Sequence, residues 1–181
     1  MSFKKIVIVG PSGSGKTKLG TEILKDKLGW NVFVTHTTRD MRNGEVQDKS
    51  YHFVSVEDFF SIDKIEYTEY PKNSNQFYGL SRKEVEEKSL KGNCYCIMDI
   101  NGALALKERF PDTKIVFIYS PIDILEQRMR DRGDREDKIK ERLKNIEITK
   151  EFDNAKYADF VLENINFEDT ENKIIDYISS I

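Results

Sequence analysis

A chain of 181 residues with 38% hydrophobic and 34% charged residues is sized for one folded core carrying excursions, which excludes a disordered chain. A formal net charge of −3 excludes nucleic acid gripped over a broad basic face, because that binding is driven by neutralising phosphates; any basic site must be local. In MSFKKIVIVG, two lysines precede only four apolar residues, too few for a secretory core or a membrane span, so a cytoplasmic protein without membrane contact is expected.

KIVIV (5 to 9) reads as a buried strand and runs directly into GPSGSGKT, residues 10 to 17, which satisfies G-x-x-x-x-G-K-[ST]. The helical pattern of KTKLGTEILKDKLG follows, so strand, glycine turn and helix stand in the order a phosphate loop requires. Gly10, Gly13 and Gly15 let the backbone wrap an anion, Pro11, Ser12 and Ser14 complete the cradle, and the helix N-terminus adds its positive end. Lys16 is expected to reach the β- and γ-phosphates of ATP, and the Thr17 hydroxyl to ligate Mg²⁺.

NVFVT (31 to 35) predicts a second strand. Past its carboxyl end, where open α/β sheets bind ligands, THTTRDMRNGE sets Arg39 and Arg42 three apart in a turn-forming segment. Two guanidinium forks suit a phosphate monoester, a second anion that the ATP loop cannot hold. Residues 36 to 92 predict a small mixed α/β insert, with alternating YHFV and IEYTEY, a short helix VEDFFSI, and a longer helix whose SRKE opening is a capping box at Ser81.

CYCIM (94 to 98) predicts the third strand, and its C-x-C spacing puts Cys94 and Cys96 on one face as small core residues. The two histidines, His36 and His52, are distant in sequence, so no Cys/His metal site is expected. NGALALKERF suits a helix and KIVFIY (114 to 119) a fourth strand. Residues 121 to 155 are charged, helical in pattern and broken at RGD (132 to 134), a flap with an elbow; ADFVLE (158 to 163) is a fifth strand. The expected fold is α/β, a five-stranded parallel sheet with helices on both faces. One domain is divided into core (1–35, 93–120, 156–181), insert (36–92) and helical lid (121–155).

In that order, GPSGSGKTKL, THTTRDMRNGEVQDKSYHFVS, QFYGLSRKEVEE, IMDINGA, RMRDRGD and FVLEN resemble the guanylate kinase family over nearly the whole chain. The resemblance implies a P-loop NTPase fold with a nucleoside-monophosphate-binding insert and a lid. It also implies Mg²⁺- and ATP-dependent phosphorylation of GMP, with dGMP, to the diphosphate. Carried over residue by residue, Arg39, Arg42, Tyr51 and Tyr78, with Gly79 beside it, match the positions that hold the acceptor. Thr35 stands where the family usually has serine and would offer its hydroxyl to guanine. Glu66 is the preferred match for the glutamate that reads the base and Glu69 the alternative, depending on where a three-residue insertion in PKNSNQF falls. Asp99 is expected near the Mg²⁺ water shell or the acceptor. Arg132 and Arg142 match lid arginines that close over the phosphoryl group and, with Lys16 and Arg39, form the expected catalytic set. Arg128, Arg130 and Arg135 are expected to be solvated helix charges, and Asn164 to lie near the adenine of ATP.

Two departures fall on the base-reading side. Asp99-Ile100-Asn101-Gly102-Ala103 replaces D-I-D-x-Q-G-A, with amide for acid, and Leu80 replaces a hydroxyl in Y-G-[ST]. Weaker guanine discrimination is therefore expected. The alternatives are a related P-loop kinase for another nucleoside monophosphate or a sugar phosphate, and a non-catalytic guanylate-kinase-like module, against which Lys16 and Thr17 argue. The expected partners are the small molecules ATP and GMP, with the chain acting as a monomer or homodimer.

Overall fold

The computed structural model describes residues 3–42, 44–69 and 74–181. In chain order it forms β1 (Lys5–Val9), α1 (Lys16–Lys18) extended by a π-helical run (Leu19–Lys27), β2 (Asn31–Val32), β3 (His36–Thr37), β4 (His52–Phe53), α2 (Val56–Ser61), β5 (Lys64–Glu69), β6 (Phe77–Ser81) and α3 (Arg82–Ser89). There follow β7 (Cys94–Ile97), α4 (Ile100–Arg109), β8 (Thr113–Tyr119), α5 (Ile122–Asp131), α6 (Glu136–Ile148), a 3-10 segment (Glu151–Tyr157), β9 (Phe160–Glu163) and α7 (Phe167–Ser180).

The apolar runs assemble into one sheet of order β2-β7-β1-β8-β9, every pairing parallel. Alternation along β1 explains why the run is continuously apolar. Ile6 and Ile8 pack on one face with Leu19, Ile23, Val116 and Ile174, while Val7 and Val9 pack on the other with Cys96, Leu106, Ile115 and Phe117. Removing each such side chain from water contributes about 1.5–3 kcal/mol. Cys94 and Cys96 are buried free thiols on this second face, as their spacing predicts.

The second strand is shorter than predicted. Phe33 still donates its N–H to Tyr95 O at 2.8 Å, but the Val34 N–H turns to the Glu84 carboxylate at 2.7 Å, and the chain leaves the sheet there. The helix after the phosphate loop also winds more widely than expected, with the Leu28 N–H reaching back five residues to Ile23 O.

The insert carries its own sheet, β4-β3-β6-β5, in which β6 runs antiparallel to both neighbours. Pairing of β3 with β4 sets His36 against His52, ring centroids 4.5 Å apart, so histidines distant in sequence are neighbours in space. Even so, the described residues hold no group of three or more potential metal ligands of the His, Cys, Asp or Glu type. In the flap, α5 and α6 pack through Leu125, Met129, Ile139 and Ile146, with the break between them at residues 132 to 135. Among the described residues no helix is long and apolar enough to cross a membrane.

Candidate active site

The phosphate loop is moulded by contact with the core. Gly10 has φ +150° and a Cβ there would lie 1.9 Å from Ile118 O; Gly15 has φ +99° and a Cβ would lie 2.4 Å from Asn164 Nδ2. Only glycine fits both the space and the torsion. Lys16 curls back to donate to Gly10 O at 2.6 Å and Pro11 O at 2.8 Å, so the loop's own carbonyls occupy the ammonium. Burial lowers its pKa to about 8, with the nearby Arg132 charge lowering it further and Glu151 opposing both. Thr17 is exposed in the first turn of α1, and Ser14 is wholly buried with no hydrogen-bond partner for its Oγ among the described residues.

Asn164, expected near the adenine of ATP, lies beneath the phosphate loop. It is 2% exposed, its Nδ2 donates to Ser14 O at 2.8 Å, and its Oδ1 accepts from the Thr170 hydroxyl at 3.0 Å. Both ends of the amide are committed beneath the loop. Asn164 therefore fastens the loop to β9. Arg128 also differs from the solvated charge predicted for it. It donates to Ser120 Oγ and Asn164 O, each at 2.9 Å, and burial lowers its pKa. Arg130 and Arg135 do lie on the solvated face, paired with Glu136 and Asp137.

Around Arg39 the structure gathers three of the predicted acceptor residues. The guanidinium is 7% exposed; its Nε donates to the Tyr78 hydroxyl at 3.2 Å and it lies 5.4 Å from the centre of the Tyr51 ring, which meets Tyr78 edge-to-face at 5.9 Å. Glu45 closes the site with a bidentate pair to Arg39 at 2.7 and 3.0 Å and also accepts the Arg42 N–H at 2.7 Å. The Arg42 side chain is exposed at the rim. Glu45, which ends the arginine-rich stretch, carries the carboxylate that occupies these donors. The R-x-x-E spacing from Arg42 was its only signal.

The two candidate glutamates separate cleanly. Glu66 pairs across β5–β6 with Leu80, and it sits so close to the first turn of α4 that a Cβ on Gly102 would lie 3.1 Å from its carboxyl carbon. Burial, with a smaller contribution from the Asp99 charge, raises its pKa to about 7. Glu69 instead ends the strand and accepts the Asn75 N–H at 2.9 Å, a turn contact. Of the insertion in PKNSNQF, residues 71 to 73 lie outside the described residues. Asp99 caps α4, accepting the Gly102 N–H at 2.9 Å, and Asn101 is exposed within the first turn. Leu80 is fully buried, Gly79 lies in register with Tyr67, and Thr35 is half-buried at the mouth of the insert. Ser81 caps α3, as the S-R-K-E pattern predicts, accepting the Glu84 N–H at 3.2 Å.

The end of α5 brings Arg132 over the loop, its Nη2 3.5 Å from Ser12 Oγ. Arg132 and Arg142 both bind the Asp134 carboxylate. Beyond α6, Lys150 adopts φ +51° and leads into Glu151, whose carboxyl is raised in pKa by burial and lowered by Lys16, and whose Oε2 is buried without a partner among the described residues. Sequence reasoning missed Glu45, Asp134, Glu151 and the role of Arg128.

A glycine loop at the end of β1, a helix N-terminus behind it, a second cationic cradle on an insert and a lid with arginines define the class of P-loop phosphotransferases. A shikimate kinase from Bacteroides thetaiotaomicron shares the fold at 16% identity, with a TM-score of 0.54 and coverage of 98% of this chain and 99% of that one. The guanylate kinase family profile matches residues 2–181. The guanylate kinase of Prochlorococcus marinus (strain MIT 9312) is 35% identical over 182 residues, covering 98% of this chain and 97% of that protein. That of Buchnera aphidicola subsp. Acyrthosiphon pisum (strain APS) is 34% identical over 180 residues, covering 96% and 86%. A crystal structure of guanylate kinase from Anaplasma phagocytophilum superposes with a TM-score of 0.71 at 26% identity, covering 99% of this chain and 86% of that one. The chain belongs to the guanylate kinase family.

Proposed function

We propose that the protein transfers the γ-phosphate of ATP to GMP, and to dGMP, giving the diphosphate. The observation that carries this reading is the presence of two separate cationic clusters, the Lys16 loop, over which Arg132 lies, and the Arg39–Tyr51–Tyr78 cluster of the insert. A hydrolase needs only the first; a transferase needs an acceptor held by the second.

In this reading Gly10 to Thr17 cradle the ATP phosphates, and Lys16 exchanges its two carbonyl partners for phosphate oxygens. The orphaned Ser14 hydroxyl is a group that a bound oxygen would satisfy. Arg39, with Tyr51, Tyr78 and Arg42, exchanges Glu45 for the acceptor's phosphate, while Thr35 and Glu66 face the base, the carboxylate accepting N1–H and N2–H₂ of guanine. Arg132 and Arg142 stabilise charge on the transferring group, and closure of insert (36–92) and lid (121–155) on the core excludes water.

Magnesium fits the donor set. This ion usually takes one or two protein oxygens and completes its shell with phosphates and water, and the Thr17 hydroxyl stands where the loop meets its helix. Bound there with ATP, Mg²⁺ would neutralise charge on the phosphates. Asp99 acts nearer the acceptor, since its charge is felt by Glu66 and its carboxylate caps α4. Such a kinase would work in the cytoplasm, where ATP is met and where buried thiols such as Cys94 and Cys96 stay reduced. It would act as a monomer or homodimer on small nucleotides, with no nucleic acid or membrane partner.

The experiment is ADP release with MgATP across GMP, dGMP, AMP, UMP, CMP and ribose phosphates. GMP should be the best acceptor. A faster rate with AMP or a pyrimidine nucleotide would overturn the guanine assignment, and no acceptor-dependent ADP release would overturn transfer altogether.

A further inference from the structure

We infer that Asp134 is the positioning residue that gathers the two lid arginines into a single phosphate-facing unit; this rests on the kinase reading above. The elbow between α5 and α6 is built to aim this carboxylate. The Gly133 N–H bonds Arg130 O at 2.8 Å and the Asp134 N–H bonds Met129 O at 3.1 Å, a closed C-terminal turn that fixes the backbone at residue 134. The carboxylate then takes Arg132 side-on, Nε to Oδ1 at 2.8 Å and Nη2 to Oδ2 at 2.6 Å, and receives Arg142 Nη1 on Oδ2 at 2.5 Å.

One carboxylate therefore spans two guanidiniums from different helices, Arg132 at the end of α5 and Arg142 within α6. Two like charges brought this close repel each other, and the shared carboxylate offsets that repulsion. Its side chain is 19% exposed, while the two arginine side chains it holds are 45% and 43% exposed, so the pairing lies at the surface where the guanidiniums remain reachable by a ligand. The geometry also leaves donors over. Among the described residues, Arg132 Nη1 and Arg142 Nε and Nη2 have no hydrogen-bond partner, and Arg132 already lies 3.5 Å from Ser12 of the phosphate loop. Asp134 thus holds the Nε–Nη2 edge of Arg132 and one nitrogen of Arg142 and leaves the rest for phosphoryl oxygens. Preorganised donors of this kind act where charge develops, so losing the organiser affects turnover more than ground-state binding.

The test is steady-state kinetics of Asp134→Asn with MgATP and GMP, beside a thermal unfolding scan. Wild-type turnover in the same assay tests the kinase reading, and the ratio of variant to wild type tests Asp134. Expected is a loss of about 10- to 100-fold in kcat, the range seen when an outer partner of a site is removed, with the KM for GMP and the midpoint of unfolding little changed. Asp134→Glu should recover part of the rate. An Asp134→Asn enzyme within twofold of wild type in kcat overturns the proposal. So does a variant whose rate loss is matched by lost stability and restored when stability is restored. A cycle that leaves Asp134 in place guards against a variant that does not fold. Arg132→Lys and Arg142→Lys, acting through one carboxylate, should together lose less than the product of their separate losses. Strictly multiplicative losses would mean that the arginines act independently and Asp134 organises nothing.

Discussion

The two cradles proposed for donor and acceptor both present a cation already engaged by an internal oxygen, but they are built from opposite materials. At the donor loop the shape comes from backbone: glycines pressed against Ile118 and Asn164, with Lys16 bound to two carbonyls of its own loop. At the acceptor site it comes from side chains on a small sheet, where Arg39 is neutralised by a full carboxylate, Glu45. A carbonyl is a weak rival to a phosphate, whereas a bidentate carboxylate is a close mimic of one. In the proposed reading the loop is thus poised for ATP by geometry, and the acceptor site would trade one anion for another. Damage to the first should be catalytic and general, and damage to the second confined to one substrate.

The largest effect expected from breaking this asymmetry is at Lys16. Lys16→Ala should cut turnover about a thousandfold or more, as removal of a charged transition-state donor does, while the fold stays intact because Lys16 supports no core contact. Arg39→Ala should be smaller and one-sided. Loss of a charge-assisted pair, roughly 1.5–3 kcal/mol, should weaken kcat/KM for GMP by about 10- to 150-fold and leave ATP binding nearly unaffected. Equilibrium titration of ATP and GMP against both variants separates the cases. Equal weakening of both nucleotides by Arg39→Ala would assign that arginine to the ATP side and erase the distinction.

The same contrast explains what could be read from the chain. The donor loop was legible in full because its parts are contiguous: eight residues between a strand and a helix fix their own geometry. The parallel sheet was legible because continuous apolar runs leave few alternatives. What escaped were partnerships made across the fold. Glu45 and Asp134 look like ordinary acids until their backbones are placed against Arg39, Arg132 and Arg142. Arg128 reads as a surface charge on an amphipathic helix until α5 is seen to carry it to Ser120 and Asn164. The hold of Asn164 on Ser14 and Thr170 is likewise visible only once β9 and α7 are placed against the loop. The choice between Glu66 and Glu69 depended on strand register, which one sequence does not determine.

A middle-sized effect concerns pH. Burial raises Glu66 to about 7 from an ordinary value near 4.5, so the folded protein holds a proton that the unfolded chain releases. Its linkage to stability is therefore unfavourable to folding as pH rises from about 4.5 to about 7, because the unfolded chain binds fewer protons throughout that window. Acceptor selection runs the other way, since guanine needs the carboxylate. Every monophosphate titrates near pH ~6 on its own phosphate, so the ratio of kcat/KM for GMP over AMP is the clean measure. That ratio should climb with pH to a plateau above about 7, and Glu66→Gln should flatten it and remove the stability loss. A wild-type ratio independent of pH would take Glu66 out of base reading.

The smallest effect is at Leu80, and it tests whether the acceptor site has given up part of its guanine preference. Leu80 lies directly across from Glu66 and is fully buried among Val7, Val9, Phe33 and Val85. Leu80 is the register partner of Glu66 at the edge of a bulge in β5, so an isobutyl group occupies the strand position where the family pattern has a hydroxyl that could donate to the base. It also belongs to the core. Leu80→Ser should therefore do two opposing things: sharpen the GMP-over-AMP ratio by a few-fold through the new donor, and destabilise by about 2–5 kcal/mol through the cavity. At about 2–4 °C per kcal/mol for a chain of this size, the unfolding midpoint should fall by roughly 4–20 °C, so rates must be compared well below it. Leu80→Ala separates the two contributions, because it opens a comparable cavity without a hydroxyl. If serine raises the ratio and alanine does not, the hydroxyl is what the acceptor pocket lacks. If both raise it equally, the gain comes from space around the base, and Leu80 restricts guanine by its bulk.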